Sequence, residues 1–432
     1  MKEKLADALA ILLLFAPGTL LGIFCPVTII QYILYAVSGV LTFIITQQII
    51  ESGTSLSIKT QEFTPTRVIK SKTMILPMYL PNEQNIAFDT LDYFKTLTTE
   101  KQVILAYNTP VSMISVENKL IEYEMENSDW LTVVKVPNST SKAHNINYVL
   151  DNYDLGDMVC FFDADARPCI TNFDRANFWL FDQGYDYVQG RCKIRSQSSG
   201  FFDTAVSLNF ALMYSVCHNF RDYVFGYALF GGSNGYWKKD AITSLKFDPE
   251  MLTEDIDCAV RALAAGYRGK YDDEIVSTEE APPGFWALVT QRTRWAQGWF
   301  EVTLKHFGKY FTMPVKTWTK IHIVNLFIVR ELLCHVKLLA LPLVIAQQIK
   351  LLGVVNDYFG GAVLIYSFIP YFIQILFGII KDKDEYWNTK WKVGSVAASL
   401  VFYTFFESFI VMRSHIRHFM GINRWVTTPR SK

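Results

Sequence analysis

Hydrophobic positions are unevenly spread along this chain. From Ala8 to Ile50 no residue is charged, and since a spanning helix needs about 20 apolar residues, the stretch holds two, broken near Pro26. Lys2 and Lys4 precede it, and Lys59, Arg67, Lys70 and Lys72 follow. The excess of basic residues on the cytoplasmic side of membrane helices then predicts a hairpin with both ends in the cytoplasm. Apolar density returns at Leu338–Ile349, Gly360–Ile380 and Val393–Met412. Between the two blocks the pattern changes. Short apolar runs end in polar residues, as in "TMILPMYLPNEQ", "QVILAYNTP", "WLTVVKVP" and "MVCFFDAD", and alternate with helical stretches such as "NIAFDTLDYFKTL". That alternation predicts a mostly parallel sheet whose ligand sits at the C-terminal ends of its strands.

Composition adds two constraints. Half of the 432 residues are hydrophobic and 15% aromatic, too apolar for a purely soluble chain of this size. The 41 basic residues balance 41 acidic ones, which removes nucleic acid as a partner, since such partners draw a basic excess. The seven cysteines form no C-x-x-C pair and no zinc-type spacing; they read as small buried hydrophobes in a reducing compartment.

Chemistry concentrates in five places. Asp163 and Asp165 close "CFFDAD". As strand positions i and i+2 they share a face, where two carboxylates repel unless a cation such as Mg²⁺ or Mn²⁺ lies between them; a turn that favours Asp is the plain alternative. "KAHN" places Lys142 and Asn145 upstream, as phosphate contacts or merely a polar helix start. "GGSNG", with Gly232 and Ser233, suits close backbone approach to a ligand, or a turn. Glu254 and Asp255 follow Thr253 at the start of an amphipathic helix, where capping alone would account for them. "QRTRWAQGW" brings Gln291, Arg292, Arg294, Trp295 and Trp299 close to the second apolar block, where Arg and Trp also serve as interface anchors. Each plain alternative stands alone; none predicts the order.

The ordered set "DAD", "TED" and "QRTRW" resembles the membrane-embedded family-two glycosyltransferases, which include cellulose, chitin and hyaluronan synthases and related glucan and mannan synthases. The resemblance covers roughly residues 72–299. It implies an α/β GT-A-type glycosyltransferase domain inserted between transmembrane helices. It also implies a UDP-sugar donor, inversion at the anomeric carbon, Mg²⁺ or Mn²⁺ as cofactor, and a glycan acceptor. Residue by residue, it implies that Asp163 and Asp165 serve the metal and diphosphate, with Asp165 the direct ligand. Asp255 becomes the general base and Glu254 its neighbour in the acceptor site. Lys142, Gln291, Arg292 and Arg294 contact the donor or its diphosphate; Trp295, Trp299, Gly232 and Ser233 line the acceptor site. Many relatives carry an aspartate at the end of the second strand to contact the nucleoside, where this chain reads "LAYNTP".

The expected layout is a transmembrane hairpin over 1–52, a cytoplasmic GT-A domain over 70–310, and interfacial and transmembrane helices with a short tail over 311–432. This describes a multi-pass protein of the lipid bilayer. Basic residues on both sides of Val393–Met412 conflict with one ordinary crossing there, and a cytoplasmic C-terminus is expected. Polar and aromatic residues in the C-terminal region, Arg330, Glu331, His335, Tyr366, Tyr371, Tyr403 and Glu407, suit a glycan path, because polar groups in such segments face an interior. The function expected is a processive β-glycan synthase. The alternatives are a lipid glycosyltransferase acting on ceramide, diacylglycerol or polyprenyl acceptors, and a transporter or scaffold with no catalysis.

Overall fold

The computed structural model describes residues 2–64, 70–97, 100–195, 201–336, 342–346 and 406–422, with scattered positions between 339 and 427. Most of the candidate span Gly360–Ile380 falls outside the described residues, as does Val393–Met412 up to residue 405.

The apolar runs become strands. β1 (Lys72–Tyr79), β2 (Gln102–Asn108), β3 (Leu131–Lys135) and β4 (Met158–Phe161) pair in parallel in the order β3-β2-β1-β4. Helices Leu80–Thr96, Ile114–Glu126 and Lys142–Asn152 connect them. β1, β2 and β4 are almost continuously buried, as expected where both faces of a parallel sheet are covered. Behind the sheet, Phe162 lies edge-on to Phe94, Phe173 and Tyr236.

The other half of the sheet departs from the parallel expectation. β5 (Arg167–Pro168), β6 (Tyr187–Arg195), β7 (Gly235–Lys238) and β8 (Gly269–Glu280) complete the order β3-β2-β1-β4-β7-β6-β8-β5. β7 runs antiparallel to both β4 and β6, β6 and β8 are parallel, and β5 is antiparallel to β8. The sheet is therefore mixed, and β7 brings the glycine loop beside the end of β4.

Helices Lys2–Phe24 and Val27–Ser57 form the hairpin, and both are long and apolar enough to cross a membrane. Gly18 and Gly22 meet Pro342 and Ala346 closely enough that a Cβ at either position would clash. Small residues four apart allow such backbone approach between membrane helices. Ile30, Leu34, Val37 and Leu41 of the second hairpin helix pack with Leu343 and Val344. The hairpin's return end meets the α/β part, where Ser55 donates to the Ser215 carbonyl at 2.6 Å. The "HIVNLFIVRELLCHV" segment is helical throughout: Thr317–Val324 and Arg330–Val336 are α, and Asn325–Val329 between them is a π turn.

Candidate active site

β4 ends at Phe161, so Asp163 and Asp165 lie past the strand rather than along it. Both sit in a turn closed by the Ala166 amide donating to the Asp163 carbonyl at 3.0 Å. The shared-face argument thus gives way to the turn, which keeps the pair at the strand's C-terminal end. The Asp163 amide donates to Ser233 Oγ at 3.2 Å, and its carboxylate takes an ion pair from Lys142. The Lys142 ammonium also donates to the Gly232 carbonyl at 2.8 Å. Burial works against its charge, but Asp163, and behind it Glu254, outweigh burial and hold its pKa above the ordinary lysine range. Lys142 opens its helix because Ser141 caps it, accepting from the His144 amide. Asn145 is a stitch instead: buried, it donates to the Met78 carbonyl and to Asn108 Oδ1, tying the ends of β1 and β2 to this helix.

Asp165 is buried and accepts from the Glu280 amide at 2.8 Å. Next to it lies Glu279, which nothing in the sequence marked beyond an acidic "STEE" run. Burial, and after it the charges of Asp163 and Asp165, push the Glu279 carboxyl up to about 8. Its Oε1 is buried without a hydrogen-bond partner among the described residues. Crowded carboxylates and an unsatisfied oxygen are the hard-donor surroundings that suit Mg²⁺ or Mn²⁺. No group of three His, Cys, Asp or Glu side chains arranged to hold a metal occurs among the described residues.

The acid helix, Glu254–Ala264, starts after Thr253, yet Thr253 makes no side-chain cap and its hydroxyl is buried without a partner among the described residues. Packing accounts for it: a Cβ on Gly298 would lie 2.6 Å from the Thr253 hydroxyl and 2.8 Å from its amide nitrogen. Gly298 belongs to the motif helix, Phe285–Lys305. In the same first turn, buried Asp257 accepts from Arg261, Lys305 and His306 at 2.7–2.8 Å. Desolvation is outweighed by those three bonds, and Asp257 is held far below the usual carboxylate range.

Asp255 sits at the head of the acid helix against the glycine loop. A Cβ on Gly232 would approach its Oδ2 to 2.7 Å, and Gly232 has φ +87°, so both space and backbone demand glycine. The surrounding protein strips most of the hydration from the Asp255 carboxyl. That desolvation, with the Glu254 charge next, pushes it up to about 7 against the opposing pull of Lys142 and Arg294. Arg294 Nη1 donates to the Leu252 carbonyl at 3.4 Å; its Nε, and Gln291 Oε1, are buried without partners among the described residues. The Arg292 guanidinium covers the Trp295 ring at 4.4 Å. Trp299 lies one turn further on, stacked on Phe327 at 4.7 Å, and Phe327 stacks in turn on Tyr310. One face of Trp299 is therefore taken by the core. Lys142, Asp163, Gly232, Ser233, Glu254, Asp255 and Arg294 come together, whereas Arg292 and Trp295 pair with each other beside Phe210.

The sequence model of the family described as glycosyl transferase family group 2 matches residues 158–381. A poly-β-1,6-N-acetyl-D-glucosamine synthase of Staphylococcus aureus is 28% identical over 249 residues, which cover 56% of this chain and 58% of that protein. Glucomannan 4-β-mannosyltransferase 7 of Arabidopsis thaliana is 26% identical over 184 residues, 42% of this chain and 33% of that one. The chain thus spans little more than half the length of the first of these relatives. Among solved structures, a mannosyltransferase of Pyrobaculum calidifontis in complex with GDP-Man and Mn²⁺ superposes with a TM-score of 0.56 at 17% identity, over 92% of this chain and 99% of that one. A likeness at that identity establishes the fold.

Proposed function

Because the chain belongs to glycosyl transferase family group 2 and has a GT-A-type fold, we propose that it transfers a hexose from a UDP-sugar, with inversion, to the growing end of a β-linked polysaccharide at the membrane, and that the polymer leaves through the membrane segments. The observation that carries this reading is the Lys142 bridge. One ammonium joins Asp163, on the donor side, to the carbonyl of Gly232, whose Cα rests against Asp255. A base for the acceptor and a cradle for the diphosphate are thereby fixed to one cation.

In the reaction, the acceptor hydroxyl attacks the anomeric carbon, the bond from that carbon to the diphosphate oxygen breaks, and Asp255 takes the hydroxyl proton. A carboxylate near pKa 7 is a better base than an ordinary aspartate while still ionising at neutral pH. Lys142 and Arg294 face the negative charge that builds on the departing diphosphate. Asp163 and Asp165 would hold the Mg²⁺ or Mn²⁺, which neutralises diphosphate charge when bound. Trp295 offers an apolar ring to the acceptor sugar. Two relatives named for β-glycan synthesis and two helices able to span a bilayer support a polymer made at the membrane.

The test is a donor screen on the purified full chain in lipid nanodiscs with Mn²⁺, using UDP-hexoses, UDP-N-acetylhexosamines and GDP-mannose. A polymer of many units that stays bound to the protein is expected from one UDP-sugar. A singly glycosylated lipid that partitions into organic solvent would replace the polymer reading with the lipid one. No nucleoside diphosphate from any donor would leave a scaffold or transporter.

A further inference from the structure

The motif helix has a second face that the catalytic reading does not use. Thr293 and Gln297, four residues apart, are buried to 2% and 0% exposure, and both accept from the chain's last described helix, over residues 406–419; Gln297 also donates to Glu301 on its own helix at 3.1 Å. Arg413 Nη1 donates to Thr293 Oγ1 at 2.8 Å, and Arg417 Nε donates to Gln297 Oε1 at 3.1 Å. Gln297 donates its amide to the Ile422 carbonyl at 3.0 Å. The same two guanidiniums reach the start of the first hairpin helix. Arg413 Nε donates to Asp7 at 2.5 Å, Arg413 Nη2 lies 3.4 Å from Glu3, and Arg417 is ion-paired with Glu3.

Each helix contributes residues four apart, 3 and 7, 293 and 297, 413 and 417, so one ridge of the last helix bonds a ridge of each of the other two. A guanidinium suits this position because its planar fork serves two partners in fixed directions, which an ammonium cannot do. Buried polar groups cost stability unless bonded, so Thr293 and Gln297 confine the motif helix and the last helix to this register, while Glu3 and Asp7, 47% and 41% exposed, tie the first helix to it through ion pairs nearer the surface. The ridge at Thr293 and Gln297 lies on the same rigid helix as Gln291, Arg292, Arg294 and Trp295. Whatever sets the rotation of that helix about its axis also sets where Arg294 stands relative to Asp255.

We infer that Arg413 and Arg417 are positioning residues that set the rotation of the motif helix from the membrane-proximal side, coupling the first and last described helices to the catalytic arrangement. The inference rests on the transferase reading above. It assigns a purpose to Thr293 and Gln297, motif-helix positions that touch neither donor nor acceptor in that reading.

The experiment compares the full chain with Thr293→Val, Arg413→Met and the double variant in nanodiscs, following nucleoside diphosphate release against donor concentration together with thermal stability. Thr293→Val keeps the side chain's shape and removes only the acceptor, so it stays informative if Arg413→Met fails to fold. A misrotated helix should lower kcat about tenfold to a hundredfold with little change in donor KM, because alignment matters most as charge develops. The double variant should be no worse than Arg413→Met, since both remove one contact. If the parent turns over donor while Thr293→Val keeps parental kcat, or loses only stability, the positioning role is overturned and the transferase reading stands. If the parent turns over no donor, both fall.

Discussion

Asp255 has to be a base that is weakly hydrated yet ionised, and its neighbours decide at which pH this holds. Its carboxyl is raised from 3.8 to about 7 by desolvation first and Glu254 second. Below that pH it carries a proton and cannot accept another, so turnover should rise with pH through about 7. Replacing Glu254 with Gln removes a raising charge, and the acidic limb of the kcat profile should then move to lower pH. Stability runs the opposite way. The unfolded chain ionises Asp255 near its ordinary pKa, so the fold loses stability as pH rises from about 4 to about 7; Glu279, raised to about 8, acts in the same sense, so a melting series should show a shallower slope in Asp255→Asn than in the parent. Asp255→Asn should bind donor while losing about 10²–10⁴ in transfer; turnover within tenfold of the parent removes Asp255 as the base. Motif order singles out Asp163, Asp165 and Asp255 in the sequence, and "KAHN" singles out Lys142; the fold brings Lys142, Asp163 and Asp255 together. Glu279 was not legible there, because an acid within a mixed strand carries no local sign of the two aspartates that the turn after β4 brings to it.

Strands β1 to β4 were legible because each is an apolar run that stops at polar residues. β6 and β8 were not, since "YVQGRCKIR" and "GKYDDEIVSTEE" interrupt their apolar positions with charges that are satisfied only in the fold, as when Asp272 of β8 takes a two-pronged bond from Arg175. The D-x-D pair illustrates the limit of periodicity: strand alternation predicts a shared face, while the local geometry is a turn past the end of β4. Thr253 looked like a helix cap but is the surface on which Gly298 packs. Gly298→Ala should therefore separate the acid and motif helices. Overpacking of this kind costs roughly 1–3 kcal/mol, and because Arg294 and Asp255 ride on the two helices, activity should fall further than stability. Thermal melting alongside donor turnover checks this; parental activity in a fully folded Gly298→Ala would show that the close approach is incidental.

At the scale of the whole molecule, the hairpin begins at Glu3 and Asp7 against Arg413 and Arg417, and returns at Ser55 against Ser215. Both ends of the hairpin and the last described helix thus meet the α/β part. If the hairpin crosses the bilayer, these contacts put the N-terminal end and residue 419 on the catalytic side. A Phe419→Cys variant with the native cysteines replaced should then react with a membrane-impermeant thiol reagent only in inside-out vesicles; labelling of right-side-out vesicles would reverse the arrangement. The sequence could not resolve this, because basic residues flank the last apolar run on both sides and only three-dimensional pairing tells which of them face the catalytic domain. Transfer by single displacement needs one centre, with Asp255 on the acceptor side and the Lys142–Asp163 pair on the donor side. The anomeric configuration of the product tests this most directly, read by NMR on glycan made by the purified full chain from an α-linked UDP-sugar. β linkages throughout are expected; α-linked product, meaning retained configuration, would contradict single displacement.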